Sequence, residues 1–423
     1  MFVESGRGHG KNTLKLLDIV VYVVRAFVDK ISKMTGLESS FFAEIRNGSE
    51  LTTFVSSEVQ LPKETQKKYN AAVEEIVSFL AKPADYGSGQ PRDFPWKFKR
   101  VFKSGSLTKG TAVRRHADVD LVCFIEKSKE LREPVEFLRL RETIIEDIAN
   151  KFGAYYKWTK EGSHWKAEIK NLSVQDQRSF IPLYNFHNGY LLNVKLMEAS
   201  GGESYSLPKI SEQVECDVQM DDTIIDVDII PGFDLYDHLK QKPGERKGSA
   251  IFNFIREQEH PMRFADQFSA SLAEMQWDFI QANLNKQNRN NLKKLILLTK
   301  FWFKTEVKSR YNRVRFPSYL IELLCLHVFQ KYCLEDTRYD ILTWFYKVLE
   351  VIEIKEELKC IWTDQYQEGF IPWEVKDQRP LIVDPANPFN NVAGGIAQWP
   401  EIYACARWFK RMLEAKYGGT DMA

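Results

Sequence analysis

The sequence predicts an α/β (α+β) protein of two lobes, in which a mixed β-sheet lobe is followed by a helical C-terminal lobe. Runs of β-prone residues dominate positions 96–234, whereas apolar residues recur at helical spacing beyond residue 260. At 423 residues the chain is too long for one simple core. Because 44% of the residues are hydrophobic, the chain can bury a sizeable interior.

Residues 1–60 are predicted to form an N-terminal helical extension and a connector. The apolar stretch at 14–31 contains charged residues and is short for a bilayer, so it predicts an amphipathic helix. Residues 34–60 are predicted to be a polar connector. We therefore expect no transmembrane segment there.

Residues 61–250 are predicted to form the sheet lobe, which opens with a long spine helix over residues 61–82. The Pro- and Gly-containing segment 83–95 then breaks the chain. A second helix is predicted near 133–152. Strands are predicted at FKRVFKSGS (98–106), DLVCFIE (120–126), HWKAEIKNLSV (164–174), YLLNVKLM (190–197) and TIIDVDIIPGFD (223–234).

Residues 251–423 are predicted to form the helical C-terminal lobe. In the run FSASLAEMQWDFIQANL, the residues Phe268, Leu272, Met275 and Phe279 fall on one helical stripe. Three further apolar runs follow, NLKKLILLTKFWF, YLIELLCLHVFQ and ILTWFYKVLEVI.

Charge and cysteine content exclude some classes of protein. Lys and Arg number 59 against 58 Asp and Glu, so nucleic-acid binding requires a local basic patch. The six cysteines form no CxxC pair, a pattern that predicts no zinc site and the reduced thiols of a cytoplasmic protein with no transmembrane segment.

Two aspartates in the stretch GSLTKGTAVRRHADVDLVCF point to metal chemistry. Side chains alternate along a strand, so Asp118 and Asp120 are expected on the same face, with Val119 opposite. Two like carboxylates so close repel each other, and a divalent cation between them would relieve the repulsion. A DxD pair is also common at solvated strand edges. Here it leads into an apolar strand, which favours the metal-site interpretation.

A third carboxylate is expected if two ions assist a phosphoryl transfer. Asp226 and Asp228 share one face of the apolar strand TIIDVDIIPGFD, and a carboxylate buried there needs a cation or hydrogen-bond donors. The spacing alone leaves open whether Asp226 supports the site or lies at an edge.

Gly105 and Ser106 precede the DxD pair. A glycine lets backbone amides approach a phosphate closely, and the serine hydroxyl can donate to it. A turn at a strand end is the alternative for these two residues taken alone. Together with the carboxylates, they predict a nucleoside triphosphate bound over two metal ions.

These motifs resemble those of the 2′-5′-oligoadenylate synthases and the cyclic GMP-AMP synthase-like receptors, which share the bilobal nucleotidyltransferase fold. The resemblance rests on GSLTKGTAVRRHADVDLVCF, DVDIIPGFD, FSASLAEMQWDFI, LILLTKFWFK, PSYLIELL and RPLIVDPANPFNNVAGG. The motifs occur in the family's order over residues 60–412.

The resemblance implies roles for individual residues. Asp118, Asp120 and Asp228 match the catalytic residues that hold two Mg²⁺ ions, with Mn²⁺ as an alternative. Gly105 and Ser106 match residues that hold the donor triphosphate. Lys300 matches a lysine on the donor phosphates, and Ser318 with Tyr319 match a pair in which the tyrosine stacks on the donor base. Pattern alone would make Lys300 a surface lysine and Tyr319 a core aromatic.

The family's activating ligand is usually double-stranded nucleic acid. Lys109 and Lys286 match lysines that contact RNA. Because the zinc insertion of the DNA-sensing synthase is missing, double-stranded RNA is the expected activator, held through its phosphates and ribose hydroxyls. The full set of predicted RNA contacts is Lys67, Lys68, Lys109, Lys286, Arg289 and Lys293.

The sequence differs from each of the two branches of the family at positions that bear on which nucleotide product is made. Leu297 stands where oligoadenylate synthases carry an arginine, and Ser318-Tyr319 resembles the Ser-Tyr pair of cyclic GMP-AMP synthase. The segment VDPANPFNNVAGG instead favours the oligoadenylate branch. The expected activity is RNA-activated synthesis of a cyclic dinucleotide second messenger of innate immunity, with a 2′-5′ linkage, from ATP and GTP or another nucleotide. The alternatives are a linear oligoadenylate synthase, a catalytically silent RNA-binding module and, disfavoured by VDPANPFNN, a tRNA- or poly(A)-type polymerase.

Overall fold

The structure is a computed structural model that describes residues 42, 44–81, 96–114, 117–126, 131–161, 164–169, 180–187, 192–198, 224–239, 248–284, 290–333, 340–354 and 356–418. The amphipathic helix predicted at 14–31 and the break predicted at 83–95 lie outside these residues. No helix within the described part of the chain is long and apolar enough to span a membrane.

Within the described residues, ten strands belong to three sheets. They are β1 Phe98–Ser104, β2 Asp118–Ile125, β3 Tyr156–Glu161, β4 His164–Ile169, β5 Phe180–His187, β6 Leu192–Glu198, β7 Ile224–Gly232, β8 Lys359–Cys360, β9 Leu381–Asp384 and β10 Asn387–Asn391. The main sheet has the order β1-β2-β7-β6-β5, and β3 pairs with β4 separately. Strands β2 and β7 run parallel, while the other neighbours in the main sheet run antiparallel. The mixed sheet lobe predicted from the sequence is thus confirmed.

Helices flank this sheet and build the second lobe. The α-helices are α1 Gly48–Phe54, α2 Lys63–Ala81, α3 Gly105–Lys109, α4 Pro134–Tyr155, α5 Leu235–Leu239, α6 Ser249–Arg256, α7 Pro261–Gln267, α8 Ala273–Leu284, α9 Asn290–Trp302, α10 Lys308–Arg310, α11 Ser318–Val328, α12 Ile341–Glu353, α13 Trp373–Lys376 and α14 Trp399–Tyr417. Shorter π-helical or 3₁₀ segments lie at Val55–Val59, Ser269–Leu272, Phe303–Val307, Phe329–Cys333 and Glu368–Phe370.

The spine helix α2 begins and ends within a residue or two of its predicted bounds. Its residues Tyr69, Val73, Ile76 and Leu80 recur every three or four positions and are buried. Residues at that spacing share one helix face, so the apolar stripe packs into the core and leaves the opposite face to solvent.

The helical lobe contains a small three-stranded sheet that the sequence did not predict. Strands β8, β9 and β10 form a small sheet within it, in the order β10-β9-β8. All four residues of β9 are buried, and the two residues that separate β9 from β10 make a tight connection. Long-range pairing with β8, rather than local pattern, decides that this segment is extended.

The connector predicted over residues 34–60 differs from the structure, which has helix α1 and the π-helical segment 55–59 there. Asn47 caps α1 by accepting from the backbone N–H of Glu50 at 2.9 Å. Helix α1 packs on α12, and the π-helical segment packs on α9. Leu51, Val55 and Val59 are fully buried at a four-residue spacing, a helical signal that the polar composition of the segment masks. Residues 48–59 therefore belong to the core of the helical lobe.

Candidate active site

Gly105 sits where the chain leaves β1 and enters α3, and only glycine fits there. Its φ is +88°, in the region that favours glycine. A Cβ atom would lie 2.7 Å from the carbonyl oxygen of Asp118 and 2.9 Å from the Cα of Val119. The glycine thus lets the turn press against the strand that carries the DxD pair. The next residue, Ser106, is buried, and its hydroxyl group donates a hydrogen bond to the Asp118 carboxylate.

The parallel pairing of β2 with β7 brings the predicted carboxylates together. In this register Asp118 lies opposite Asp226, and Asp120 lies opposite Asp228. Val119 is fully buried while Asp118 and Asp120 are partly exposed, which is the alternation expected of a strand with one buried face. Two distant segments of the sequence therefore contribute carboxylates to one point on the sheet.

Electrostatic repulsion is strong at this point. Burial, together with the neighbouring carboxylates of Asp118 and Asp228, raises the pKa of Asp120 to about 7. Within the described residues, no group of three or more His, Cys, Asp or Glu side chains is already arranged as a metal site. The carboxylate oxygens are nevertheless the donor type that Mg²⁺ prefers, and a cation would offset the repulsion that raises this pKa. The residues present thus fit the predicted metal chemically.

A buried ion-pair network lies beside the carboxylates and joins the two lobes. Glu322 of α11 accepts from Lys300 of α9 at 2.6 Å, from Thr111 at 3.0 Å and from Lys109 of α3 at 3.0 Å. The Lys300 ammonium also donates to the Thr111 hydroxyl at 3.1 Å. Both Lys300 and Glu322 are 1% exposed.

The charges in this network stabilise one another. Burial alone would raise the pKa of Glu322, but the ammonium groups of Lys109 and Lys300 outweigh burial and lower the pKa to about 2. Burial alone would lower the pKa of Lys109, but Glu322, then Asp120 and Asp118, raise it. Lys109 is therefore a cation held between Glu322 and the paired carboxylates.

The positions of Lys109 and Lys300 differ from what their predicted contacts with RNA and with the donor phosphates require. The predicted RNA contact of Lys109 does not fit the structure, because its side chain is 8% exposed and is paired with Glu322. Lys300 is neither a surface lysine nor free for phosphates in this structure. A contact between its ammonium and a donor triphosphate requires that ammonium to leave Glu322 and Thr111.

Tyr319 and Ser318 begin helix α11, and both are partly exposed. The Tyr319 hydroxyl donates to Asp384 of β9 at 3.0 Å, and the Lys109 ammonium lies over the ring, 5.2 Å from its centroid. Tyr319 thus stands beside the cation that faces the carboxylates.

The remaining predicted RNA contacts are dispersed. Lys67 and Lys68 are exposed on the spine helix, where Lys67 pairs with Glu64 at 2.9 Å. Lys293 is partly buried with its ammonium near Gly110, and burial lowers its pKa. Lys286 and Arg289 lie outside the described residues.

The sequence prediction missed four polar residues of this region. They are Thr111, Gln276, Glu322 and Asp384. Glu322 had a usable signal, because an acidic residue inside the apolar run YLIELLCL must find a buried partner. The other three carry no local signal, since their partners lie on other elements.

Comparison with known proteins confirms the resemblance drawn from the motifs. Residues 245–419 match the family model described as 2'-5'-oligoadenylate synthetase 1, domain 2, C-terminus. The chain is 27% identical over 335 residues to 2'-5'-oligoadenylate synthase 1A of Mus musculus, covering 77% of each protein. It is 24% identical over 339 residues to the 1A protein of Rattus norvegicus, covering 78% of this chain and 81% of the relative.

Two further similarities complete the comparison. The chain is 27% identical over 310 residues to Inactive 2'-5'-oligoadenylate synthase 1B of Rattus norvegicus, covering 71% of this chain and 69% of the relative. Among solved structures it aligns with E. coli MS115-1 CdnC with ATP at a TM-score of 0.49 and 19% identity, covering 88% of this chain and 93% of that chain.

The mixed sheet, its paired carboxylates and the helical lobe have the architecture of the nucleotidyltransferase fold. More particularly, residues 245–419 match the C-terminal domain model of the 2'-5'-oligoadenylate synthetases, and about three quarters of the chain is similar to the two 1A proteins.

Proposed function

We propose that this protein is a template-independent nucleotidyltransferase of innate immunity that makes a cyclic dinucleotide second messenger from nucleoside triphosphates. The observation that carries the proposal is the β2–β7 register, which sets Asp120 opposite Asp228 beside the Gly105 turn. That arrangement unites carboxylates for metal binding with a backbone turn that a phosphate can approach.

Asp118, Asp120 and Asp228 would hold two Mg²⁺ ions, with Mn²⁺ as an alternative. When bound, such ions neutralise triphosphate charge and make a ribose hydroxyl a better nucleophile. The chain's own residues orient the reaction. Gly105 and Ser106 hold the donor triphosphate, and Tyr319 stacks on the donor base. The acceptor hydroxyl attacks the donor α-phosphate, pyrophosphate leaves, and Asp228 helps to accept the hydroxyl proton.

Two positions support a cyclic product over a linear oligoadenylate. Leu297 places a fully buried apolar side chain at the position where the resemblance puts an arginine of the oligoadenylate synthases. Ser318 and Tyr319 are partly exposed together at the start of α11, as the Ser-Tyr resemblance requires for nucleotide contact. Synthesis of linear oligoadenylates from ATP, the activity in the names of the relatives, is the second candidate.

We also propose that double-stranded RNA activates the enzyme. The exposed Lys67 and Lys68 on the spine helix support a contact with phosphates, together with the partly buried Lys293. A cytoplasmic location is proposed with it, supported by four buried free cysteines among the described residues.

The test is to incubate the purified protein with all four ribonucleoside triphosphates and Mg²⁺, with and without long duplex RNA, and to resolve phosphatase-treated products by mass. A phosphatase-resistant cyclic dinucleotide that requires RNA supports the proposal. A ladder of adenylates would identify a linear synthase, and extension of an RNA 3′ end a polymerase.

The Asp120→Asn variant separates catalysis from binding. It removes one charge of the carboxylate set, so we expect no product but unchanged RNA affinity in a filter-binding assay. Product from this variant would contradict the metal assignment. RNA binding without product from the wild type would identify a silent binding module, a possibility raised by the inactive relative.

A further inference from the structure

The ring of Tyr319 is held at two points. At its hydroxyl end it donates to the Oδ1 atom of Asp384 at 3.0 Å. On one face it meets the ammonium of Lys109, 5.2 Å from the ring centroid, a cation–π contact. Lys109 is itself fixed by Glu322 at 3.0 Å. Two buried carboxylates on different elements thus restrain one partly exposed aromatic ring.

Asp384 is built to accept hydrogen bonds. It is 0% exposed at the end of β9, and besides Tyr319 it accepts from the Gln276 side chain at 2.6 Å and from the Ala386 backbone N–H at 2.9 Å. Burial raises the pKa of Asp384 to about 6, while its three donors oppose that rise. The pKa of the Tyr319 phenol is raised well above its usual range by burial and by Asp384. The phenol therefore keeps its proton and donates.

The occupied face of the ring indicates where a ligand would lie. Because Lys109 covers one face, a planar aromatic group can stack only on the other. A ring anchored at its hydroxyl cannot swing freely, so the protein holds the Tyr319 ring in one orientation before a ligand binds. Preorganisation of this kind improves affinity by reducing the entropy lost on binding.

We propose that Asp384 is a positioning residue that fixes the Tyr319 ring for stacking on a nucleotide base. The inference rests on the proposed function, which assigns Tyr319 to the donor base. Asp384 does not contact the reacting atoms; it acts through the tyrosine hydroxyl, and Gln276 holds the other carboxylate oxygen.

The test compares Tyr319→Phe with the wild type. The phenylalanine keeps a stacking ring but loses the anchor, and Asp384 retains two donors, so we expect the variant to fold. Binding of the four ribonucleoside triphosphates is measured by calorimetry with Ca²⁺ replacing Mg²⁺ to hold back turnover. Stacking is measured by fluorescence quenching of 2-aminopurine ribonucleoside triphosphate.

We expect the dissociation constant of the preferred nucleotide to rise about three- to tenfold in Tyr319→Phe, the usual effect of one net hydrogen bond, with weaker quenching. The matched control is Tyr346→Phe. Tyr346 also donates its hydroxyl to a carboxylate, that of Glu414 at 2.5 Å, but between α12 and α14. This control is expected to bind nucleotide as the wild type does.

A second variant, Asp384→Ala, removes the acceptor of the same bond. We expect Asp384→Ala to weaken binding, and the double variant with Tyr319→Phe to weaken it little further, because both changes remove the bond between Tyr319 and Asp384. Wild-type affinity and quenching in Tyr319→Phe, or additive losses in the double variant, would overturn the inference alone. No nucleotide binding by the wild type would overturn the proposed function and this inference with it.

Discussion

Replacing Glu322 with glutamine removes the carboxylate that pairs with Lys109 and Lys300 at the junction of the two lobes. The change keeps the volume of the side chain and an oxygen acceptor. It leaves the ammonium of Lys300, which is 1% exposed, without its carboxylate partner, and it leaves Lys109 only the carboxylates of Asp118 and Asp120. We therefore expect the free energy of unfolding to fall sharply at neutral pH.

Two arguments set the size of this effect. Lowering the pKa of Glu322 from 4.5 to about 2 corresponds to about 3 kcal/mol of stabilisation of the ionised form. Removing one partner of a buried ion pair costs on the order of 3–5 kcal/mol in other proteins. A loss of about 3 kcal/mol is therefore expected.

Urea unfolding followed by tryptophan fluorescence measures this loss. Because the folded-state pKa of Glu322 lies below the unfolded value, its contribution is complete above pH 4.5 and is lost as the pH falls toward 2. The difference between wild type and variant should shrink over the same interval. Adding Lys300→Met should restore part of the stability, because it removes one unpaired ammonium.

The control is Glu64→Gln, which breaks the 2.9 Å pair with Lys67 in which the side chains are 80% and 74% exposed. We expect that change to cost less than about 1 kcal/mol, as is usual for exposed pairs. If Glu322→Gln costs no more than Glu64→Gln, the ion-pair network does not stabilise the lobe junction and the reasoning is wrong.

Two further predictions concern backbone geometry and pH. Gly105→Ala should lower the melting temperature and abolish product, because the added Cβ would lie 2.7 Å from the backbone of Asp118. The control is Gly395→Ala, at φ +73° with no atom within 4 Å of the added Cβ, which should lose only the conformational cost of about 1–2 kcal/mol. Equal losses of stability in the two variants would refute the packing argument. Burial, assisted by Lys331, lowers the pKa of His327 to about 4 in the folded state. As the pH drops from 6.5 to 4, the unfolded state therefore binds a proton that the folded state does not, and the free energy of unfolding should fall by up to about 3 kcal/mol. The free energy of unfolding, measured with urea at several pH values over that interval, should depend less steeply on pH in His327→Leu than in the wild type. An unchanged dependence on pH would contradict the prediction.

Local pattern in the sequence was enough for those features that depend on neighbours along the chain. Tyr69, Val73, Ile76 and Leu80 recur every three or four positions, a spacing typical of a helix with one buried face, and strand alternation predicted that Asp118 and Asp120 share a side. Gly105 was expected to allow a close approach to a phosphate, and the structure adds a close approach to the backbone of Asp118 and Val119. Each of these follows from backbone periodicity or sterics, which act over a few residues.

Other features depend on which elements become neighbours, and only the tertiary structure decided them. The parallel register of β2 and β7 sets Asp120 opposite Asp228. Lys109 looked like a surface cation until α11 placed Glu322 against it. The physical reason is the same in both cases: a charge acts on whatever lies within a few ångströms in space, and sequence spacing reports that distance only within one helix or strand.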